Sequence, residues 1–197
     1  MKQQRKSLGM ATNLKDYVRT YDQLVDADLC QRILEAFGKS NGEYIDREQR
    51  PSFTELNLTN RLRAKDPLWS GIHTKLEDAF IDATQMYMEE LDLGPDFPSK
   101  YCFEELRLKY YQNKGHDQFK THVDVQDYNS ARRFLVCFLY LNSVGMGGQT
   151  HFPKLDCTIE PKCGRILLFP STWQYRHAGL PPESNNKYIV GTYLHYL

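Results

Sequence analysis

The chain has 197 residues, 41% hydrophobic, 13% aromatic and 25% charged. That length supports one domain with its own core, and the composition excludes disorder as the default state. Lys plus Arg and Asp plus Glu number 25 each, a formal net charge of zero, which excludes the broad positive field of a general nucleic-acid binder and leaves room only for a local basic patch. The N-terminus, Met1-Lys2-Gln3-Gln4-Arg5-Lys6, is basic, but no apolar stretch follows it, so it does not read as a secretory signal. The longest apolar run, Phe134 to Leu141, is too short to span a bilayer. A soluble cytoplasmic protein with no membrane partner is expected. The five cysteines (Cys30, Cys102, Cys137, Cys157, Cys163) are odd in number and contain no C-x-x-C pair. Free thiols are therefore expected, with neither a zinc finger nor a complete disulfide framework.

Asp26 is placed to cap a helix whose apolar stripe is Leu29, Ile33, Leu34 and Phe37, with Gly38 at its end. From Gly38 to Asn60 the chain is polar and turn-rich, and a loop without a core of its own is expected, a lid for instance. Asp66-Pro67 supplies an N-cap and a first-turn proline to a longer helix. Its apolar face is Trp69, Ile72, Leu76, Phe80, Ala83, Met86 or Tyr87, and Leu91, and Gly94-Pro95 stops it. From Tyr101 the pattern changes to strands. Glu105 to Tyr110 alternates with period two, while Arg133 to Leu141, Arg165 to Phe169 and Lys187 to Leu194 are compact apolar runs, as central strands are. Turn residues fall between them. The expectation is one α+β domain over residues 1–197, mainly β. Helical support over about 1–100 would buttress a β-sandwich or jelly-roll core over about 101–197.

His122-Val123-Asp124 spaces an imidazole and a carboxylate two residues apart, so on a strand both face one side. His177 can supply a third ligand if its strand runs beside the first. Two imidazoles and one carboxylate on one face of a metal leave the opposite positions open, the arrangement of non-haem Fe(II) oxygenases. Taken alone, H-x-D is common by chance; the company it keeps is what gives it weight. Lys187, ten residues after His177, opens an apolar strand. It is either an exposed edge lysine or an inward cation that needs an anionic partner, such as a dicarboxylate chelating the iron at its other end. The other histidines, His73, His116, His151 and His195, read as surface or structural residues.

The second half of the chain resembles the prolyl 4-hydroxylase-like branch of the Fe(II)/2-oxoglutarate dioxygenases. The resemblance lies in Tyr110-Tyr111…Gly115…Phe119…His122-Val123-Asp124, in Tyr140-Leu141-Asn142, and in Gly147-Gly148-Gln149-Thr150-His151-Phe152. It continues in Pro161-Lys162-Cys163-Gly164 before an apolar strand, and in His177-Ala178-Gly179…Lys187. Gln149 stands where the family usually has Glu, and the stretch from Tyr110 to His122 is longer than the family pattern. The resemblance implies a double-stranded β-helix (jelly roll, cupin-like) holding Fe(II) through His122, Asp124 and His177. Lys187 would bind the distal carboxylate of 2-oxoglutarate. Tyr110 is preferred over Tyr111 as the cosubstrate-contacting tyrosine, because it continues the alternation of Leu106 and Leu108. The implied reaction hydroxylates a C–H bond of a protein, peptide or small-molecule substrate with O2, a prolyl residue being the family's best-known case. It releases succinate and CO2, and ascorbate is a further candidate reductant. Arg50-Pro51-Ser52 matches an Arg-x-Ser that such proteins carry near the peptide, and an exposed loop is its bland alternative. Two competing functions are a non-catalytic 2-oxoglutarate or metal sensor on the same scaffold and an oxidative nucleic-acid demethylase, which the neutral charge and the lysine anchor disfavour.

Overall fold

The computed structural model describes residues 13–47, 50–113 and 115–197, with the side chain of Arg50 left out, so the basic segment Met1–Lys6 lies outside the described residues. Helix α1 is Ala27–Gly38, and the Asp26 carboxylate accepts from Leu29 N at 2.6 Å, satisfying one of the unpaired N–H groups that open a helix. Helix α2, Leu58–Arg63, is capped in the same way by Asn57. Helix α3 is Pro67–Glu90, with Asp66 as N-cap and Pro67 in its first turn; it ends before Gly94-Pro95, at a cap on Leu91. His73 on α3 is buried, not on the surface as expected. It lies at the α2–α3 contact, with Nε2 3.1 Å from the Thr59 hydroxyl.

The strands in chain order are β1 (Arg19–Tyr21), β2 (Glu43–Arg47), β3 (Arg50–Asn57), β4 (Tyr101–Phe103), β5 (Arg107–Tyr111) and β6 (Phe119–His122). They continue as β7 (Arg133–Tyr140), β8 (Thr150–Phe152), β9 (Cys157–Ile159), β10 (Arg165–Pro170), β11 (His177–Gly179) and β12 (Lys187–Tyr196). Among the described residues they make two antiparallel sheets. The larger runs β1-β10-β7-β12-β5-β3-β2, with β4 also on β12, and the smaller runs β6-β11-β8-β9. This is the expected mainly-β jelly roll, with helices covering the outer face of the larger sheet.

The segment Gly38 to Asn60 is not a coreless loop. Most of it is the β2–β3 hairpin, and β3 joins the larger sheet beside β5, with Leu56 opposite Leu108. Phe53 and Leu56, both buried, lie an odd number of residues apart, so each face of β3 receives one large apolar side chain. One anchor per face shows no periodicity, yet edge pairing with β5 suffices to order the strand.

Two cores follow the parity of the strands. Leu108, Leu135, Cys137, Leu139, Ile166, Leu168 and Val190 face outward under α1 and α3, joining Ile33, Trp69, Leu76, Phe80 and Ala83. The intervening residues, Tyr111, Val136, Phe138, Tyr140, Leu167, Phe169 and Ile189, face the barrel interior. Each fully buried aliphatic side chain contributes on the order of 1.5–3 kcal/mol, so the outer core clamps the sheet and leaves the inner face free for chemistry. All five cysteines are free thiols. Among the described residues, no helix is long and apolar enough to cross a membrane.

Candidate metal centre

Strand β11 runs antiparallel to β6, and this pairing sets His177 directly opposite His122, with ring centroids 4.4 Å apart. The chain leaves β6 at His122 and bends, bringing the Asp124 carboxylate back between the two rings. Its Oδ1 lies 3.7 Å from His122 Nε2 and its Oδ2 3.8 Å from His177 Nδ1. One potential ligand atom from each residue falls within 4.8 Å of the others, and all three residues are buried.

Hydrogen bonds prepare these groups for a cation. His122 Nδ1 donates to the Lys120 carbonyl at 2.8 Å, and His177 Nδ1 to the Tyr175 carbonyl at 3.1 Å. A carbonyl can only accept, so both rings are held with the Nε2 lone pair free. Backbone partners of this kind orient ligating imidazoles. The Tyr193 hydroxyl donates to Asp124 Oδ1 at 2.7 Å, whereas buried Oδ2 has no hydrogen-bond partner. A buried carboxylate oxygen without a donor is costly unless a cation completes it. Burial pushes the Asp124 carboxyl up, but His177, His122 and the Tyr193 hydroxyl outweigh that and hold it at about 2. Burial takes His177 down to about 4 despite the pull of Asp124. At neutral pH the site therefore offers one carboxylate and a neutral His177 imidazole, the protonation states a metal needs. The donor set suits Fe(II).

Aromatic rings dry the site. Phe119 stacks on His122 at 3.6 Å, and Phe169 meets His177 edge-on at 4.8 Å. Arg133 backs the Asp124 side: its guanidinium is paired with Glu104 at 2.7 Å and lies 4.0 Å over the Tyr193 ring.

Deeper in the barrel, Lys187 is 2% exposed, inward, and not an edge lysine. No carboxylate or hydrogen-bond acceptor reaches it among the described residues; its ammonium lies 5.2 Å from the Tyr111 ring and 5.7 Å from the Tyr140 ring. Burial, with Lys109 adding to it, brings its pKa down to about 7. Tyr140 and Thr150 share a hydroxyl hydrogen bond of 2.7 Å, and Gly148, at φ +76, carries the chain past the Lys187 side chain. Lys187, Tyr111 and Thr150 line one cavity with His122 and His177. Its volume is about 20 Å³, little more than one water. A five-carbon diacid has matching polar partners here but needs the lining side chains to give way.

Tyr110 does not face this cavity. It stacks on Tyr188 at 4.8 Å and meets Phe37 of α1 at 6.0 Å, on the helix side of the sheet. The alternation of Leu106, Leu108 and Tyr110 is real, but it marks the face that packs under the helices, so the tyrosine directed at the site is Tyr111. Of Arg50-Pro51-Ser52, Pro51 lines the mouth of the barrel and Ser52 is buried with its hydroxyl on the His116 carbonyl at 2.7 Å. Sequence reasoning passed over Tyr193 and Lys109 as site residues; Arg132-Arg133 reads from the sequence as a solvated strand start or a contact for an anionic substrate, and Arg133 is found paired with Glu104. Tyr193 lies six residues beyond Lys187 on one strand, so period-two counting puts both on one face; Lys109 shares the parity of Tyr111 in the same way.

A jelly roll with two imidazoles and a carboxylate converging at one end, beside a buried lysine, has the form of a non-haem iron oxygenase domain. Residues 106–195, the stretch that carries the motifs, match the 2OG-Fe(II) oxygenase superfamily. Prolyl 4-hydroxylase subunit alpha-1 of Gallus gallus is 29% identical over 147 residues, covering 66% of this chain and 25% of that protein. The chain thus spans about a quarter of the length of the curated relatives it matches. In fold it is similar to a viral collagen prolyl hydroxylase from Paramecium bursaria Chlorella virus-1, solved with 2OG, at TM-score 0.70 and 20% identity, covering 92% of this chain and 97% of that one. A Pseudomonas putida prolyl-4-hydroxylase aligns at TM-score 0.66 and 18% identity, covering 93% and 97%. A prolyl hydroxylase from Trichoplax adhaerens, solved with a hypoxia inducible factor peptide fragment, aligns at 0.69 and 15%, covering 91% and 84%.

Proposed function

We propose that this protein is an Fe(II)- and 2-oxoglutarate-dependent dioxygenase that hydroxylates a C–H bond, with a prolyl residue of a peptide as the leading substrate, acting in the cytoplasm as one domain. The observation that carries the reading is the convergence of His122, Asp124 and His177, with a buried Asp124 oxygen that has no donor among the described residues. The peptide part rests on relatives that are prolyl hydroxylases, one of them bound to a peptide fragment.

When bound, iron and 2-oxoglutarate would let O2 act as the oxidant, one oxygen atom going into succinate as the keto acid loses CO2 and the other into the C–H bond of the substrate. The chain's own residues do the rest. His122, Asp124 and His177 would hold the metal, and Tyr193 fixes the carboxylate by its hydrogen bond. Lys187, on the floor of the cavity with Tyr111 beside it, would neutralise the distal carboxylate of 2-oxoglutarate. Phe119, Phe138 and Phe169 keep water from the reacting groups. Substrate enters through a mouth of about 560 Å³ lined by Pro51, Phe53, Arg107, Arg133 and Tyr193 among others, a size that suits a short peptide segment.

The test is an anaerobic titration with Fe(II) and 2-oxoglutarate, followed by oxygen and a peptide library. Succinate formation with gain of one oxygen atom by a prolyl peptide is the expected result. Tight binding of both groups with no turnover of any peptide or metabolite would make the protein a sensor. Indifference to Fe(II) would end the oxygenase reading.

A further inference from the structure

The barrel holds two lysines, and a dicarboxylate cosubstrate accounts for only one of them. Lys109 lies on β5 between Arg107 and Tyr111, on the barrel-facing side. It lines both the inner cavity, with His122, His177 and Lys187, and the mouth, with Phe53, Glu55 and Arg133. It therefore sits where the route from solvent reaches the metal ligands.

Its ammonium is flanked by the rings of Phe53 at 5.0 Å and Phe119 at 5.7 Å. Among the described residues no carboxylate lies within ion-pairing distance and no acceptor within hydrogen-bonding distance. The neighbouring cations are committed elsewhere: Arg107 to Glu55 and Glu105, and Arg133 to Glu104. Glu55, one of the two carboxylates whose charge acts on Lys109, is thus already engaged. Burial pushes the Lys109 amine below its ordinary range, and Lys187 feels Lys109 as an unfavourable neighbour. Lys109 is half-buried and draws some compensation from the charges of Glu55 and Asp124, yet neither ammonium has an ion-pair partner among the described residues, so each can take an anion in the working complex.

We propose that Lys109 is a specificity-determining residue and that the primary substrate carries a carboxylate close to the carbon that is oxidised, which Lys109 binds. The inference rests on the oxygenase reading above, in which Lys187 takes the distal carboxylate of the cosubstrate. The rings of Phe53 and Phe119 adjoin each other beside the ammonium and form an apolar wall along the way in for an acid. The carboxylate has two sources, the free α-carboxyl of an amino acid or the side chain of an acidic residue beside the target in a peptide.

The experiment uses the full chain loaded with Fe(II) and 2-oxoglutarate, as wild type, Lys109→Met and Lys109→Arg. Two probe pairs separate the sources: L-proline against L-prolinamide, and acetyl-Pro-Glu-amide against acetyl-Pro-Gln-amide. In wild type, one acid is expected to be used in preference to its neutral partner by roughly tenfold or more in kcat/KM, the size of one charge-assisted contact. In Lys109→Met the preference collapses through KM, and Lys109→Arg keeps most of it. Affinity for 2-oxoglutarate, measured on the Mn(II)-loaded protein, is the same in all three. Equal use of acid and amide, turnover of neither, or a preference that survives in Lys109→Met overturns the assignment. So does a loss of 2-oxoglutarate affinity in Lys109→Met, which would make Lys109 part of the cosubstrate site. Failure of the wild type to bind 2-oxoglutarate at all sinks the oxygenase reading instead, and is seen before any substrate is added.

Discussion

From Leu106 to Tyr111 a single stretch of chain feeds two environments. Leu106, Leu108 and Tyr110 point out beneath the helices, whereas Arg107, Lys109 and Tyr111 point into the barrel. Strand β12 divides in the same way, with Val190 and Leu194 outward and Lys187, Ile189 and Tyr193 inward. The outer face is closed and apolar, and any residue of the right size serves it. The inner face carries arginines paired with glutamates, a tyrosine bonded to Asp124, and two lysines that have no ion-pair partner among the described residues. Stability is concentrated on one side of the sheet and chemistry on the other, so a substitution should report which face it sits on.

The largest effect belongs to the inner face. His177→Ala removes a ligand and leaves Asp124 short of a partner, so Fe(II) retention after gel filtration should be lost, while the thermal midpoint of the metal-free protein changes little. Retained iron would break the comparison at its centre. On the outer face, Leu139→Ala opens a cavity between sheet and helices and should cost about 2–5 kcal/mol in urea unfolding. Iron affinity in the folded fraction should hold. Equal damage to both readouts would mean that the two faces are one cooperative unit.

The next effect is one of pH. Lys187 falls from its ordinary 10.5 to about 7 in the folded protein without cosubstrate. Between those values the unfolded chain holds a proton that the folded one has released, so stability of the ligand-free protein should rise with pH across that window. A bound carboxylate restores the charge. Binding of 2-oxoglutarate above pH 7 should then take up a proton, and its affinity should fall by up to about tenfold per pH unit. Calorimetry in buffers of different ionisation enthalpy checks this, and Lys187→Met should abolish the proton uptake. The smallest contrast is between adjacent tyrosines. Tyr111→Phe should weaken 2-oxoglutarate by roughly three- to tenfold, the worth of one hydrogen bond, and Tyr110→Phe should leave it unchanged. The reverse outcome would return the cosubstrate contact to Tyr110.

Much of this was legible before any coordinates. The caps at Asp26 and Asp66, the central strands from Arg133 and Lys187, and the shared face of His122 and Asp124 follow from local signals, namely spacing, capping chemistry and apolar runs, whereas His177 joined them only through the family resemblance. The same local signals misled where the answer lay in a partner strand. Phe53 and Leu56 look like isolated apolar residues in a polar loop until β5 pairs with them, and His73 looks like a helix-surface residue until α2 covers it.

The sequence by itself determined which residues alternate and therefore which share a face, because side-chain direction along a strand has a fixed period of two. It could not say which face looks into the barrel, since that depends on which side of the sheet the helices occupy. Tertiary structure alone decided that Tyr111 rather than Tyr110 meets the cavity, that His177 lands opposite His122, and that Lys109 and Lys187 stand together without a carboxylate between them. Those are facts about distance across the barrel, between groups the chain separates by dozens of residues, and charges placed that far apart in sequence find or miss each other only in three dimensions.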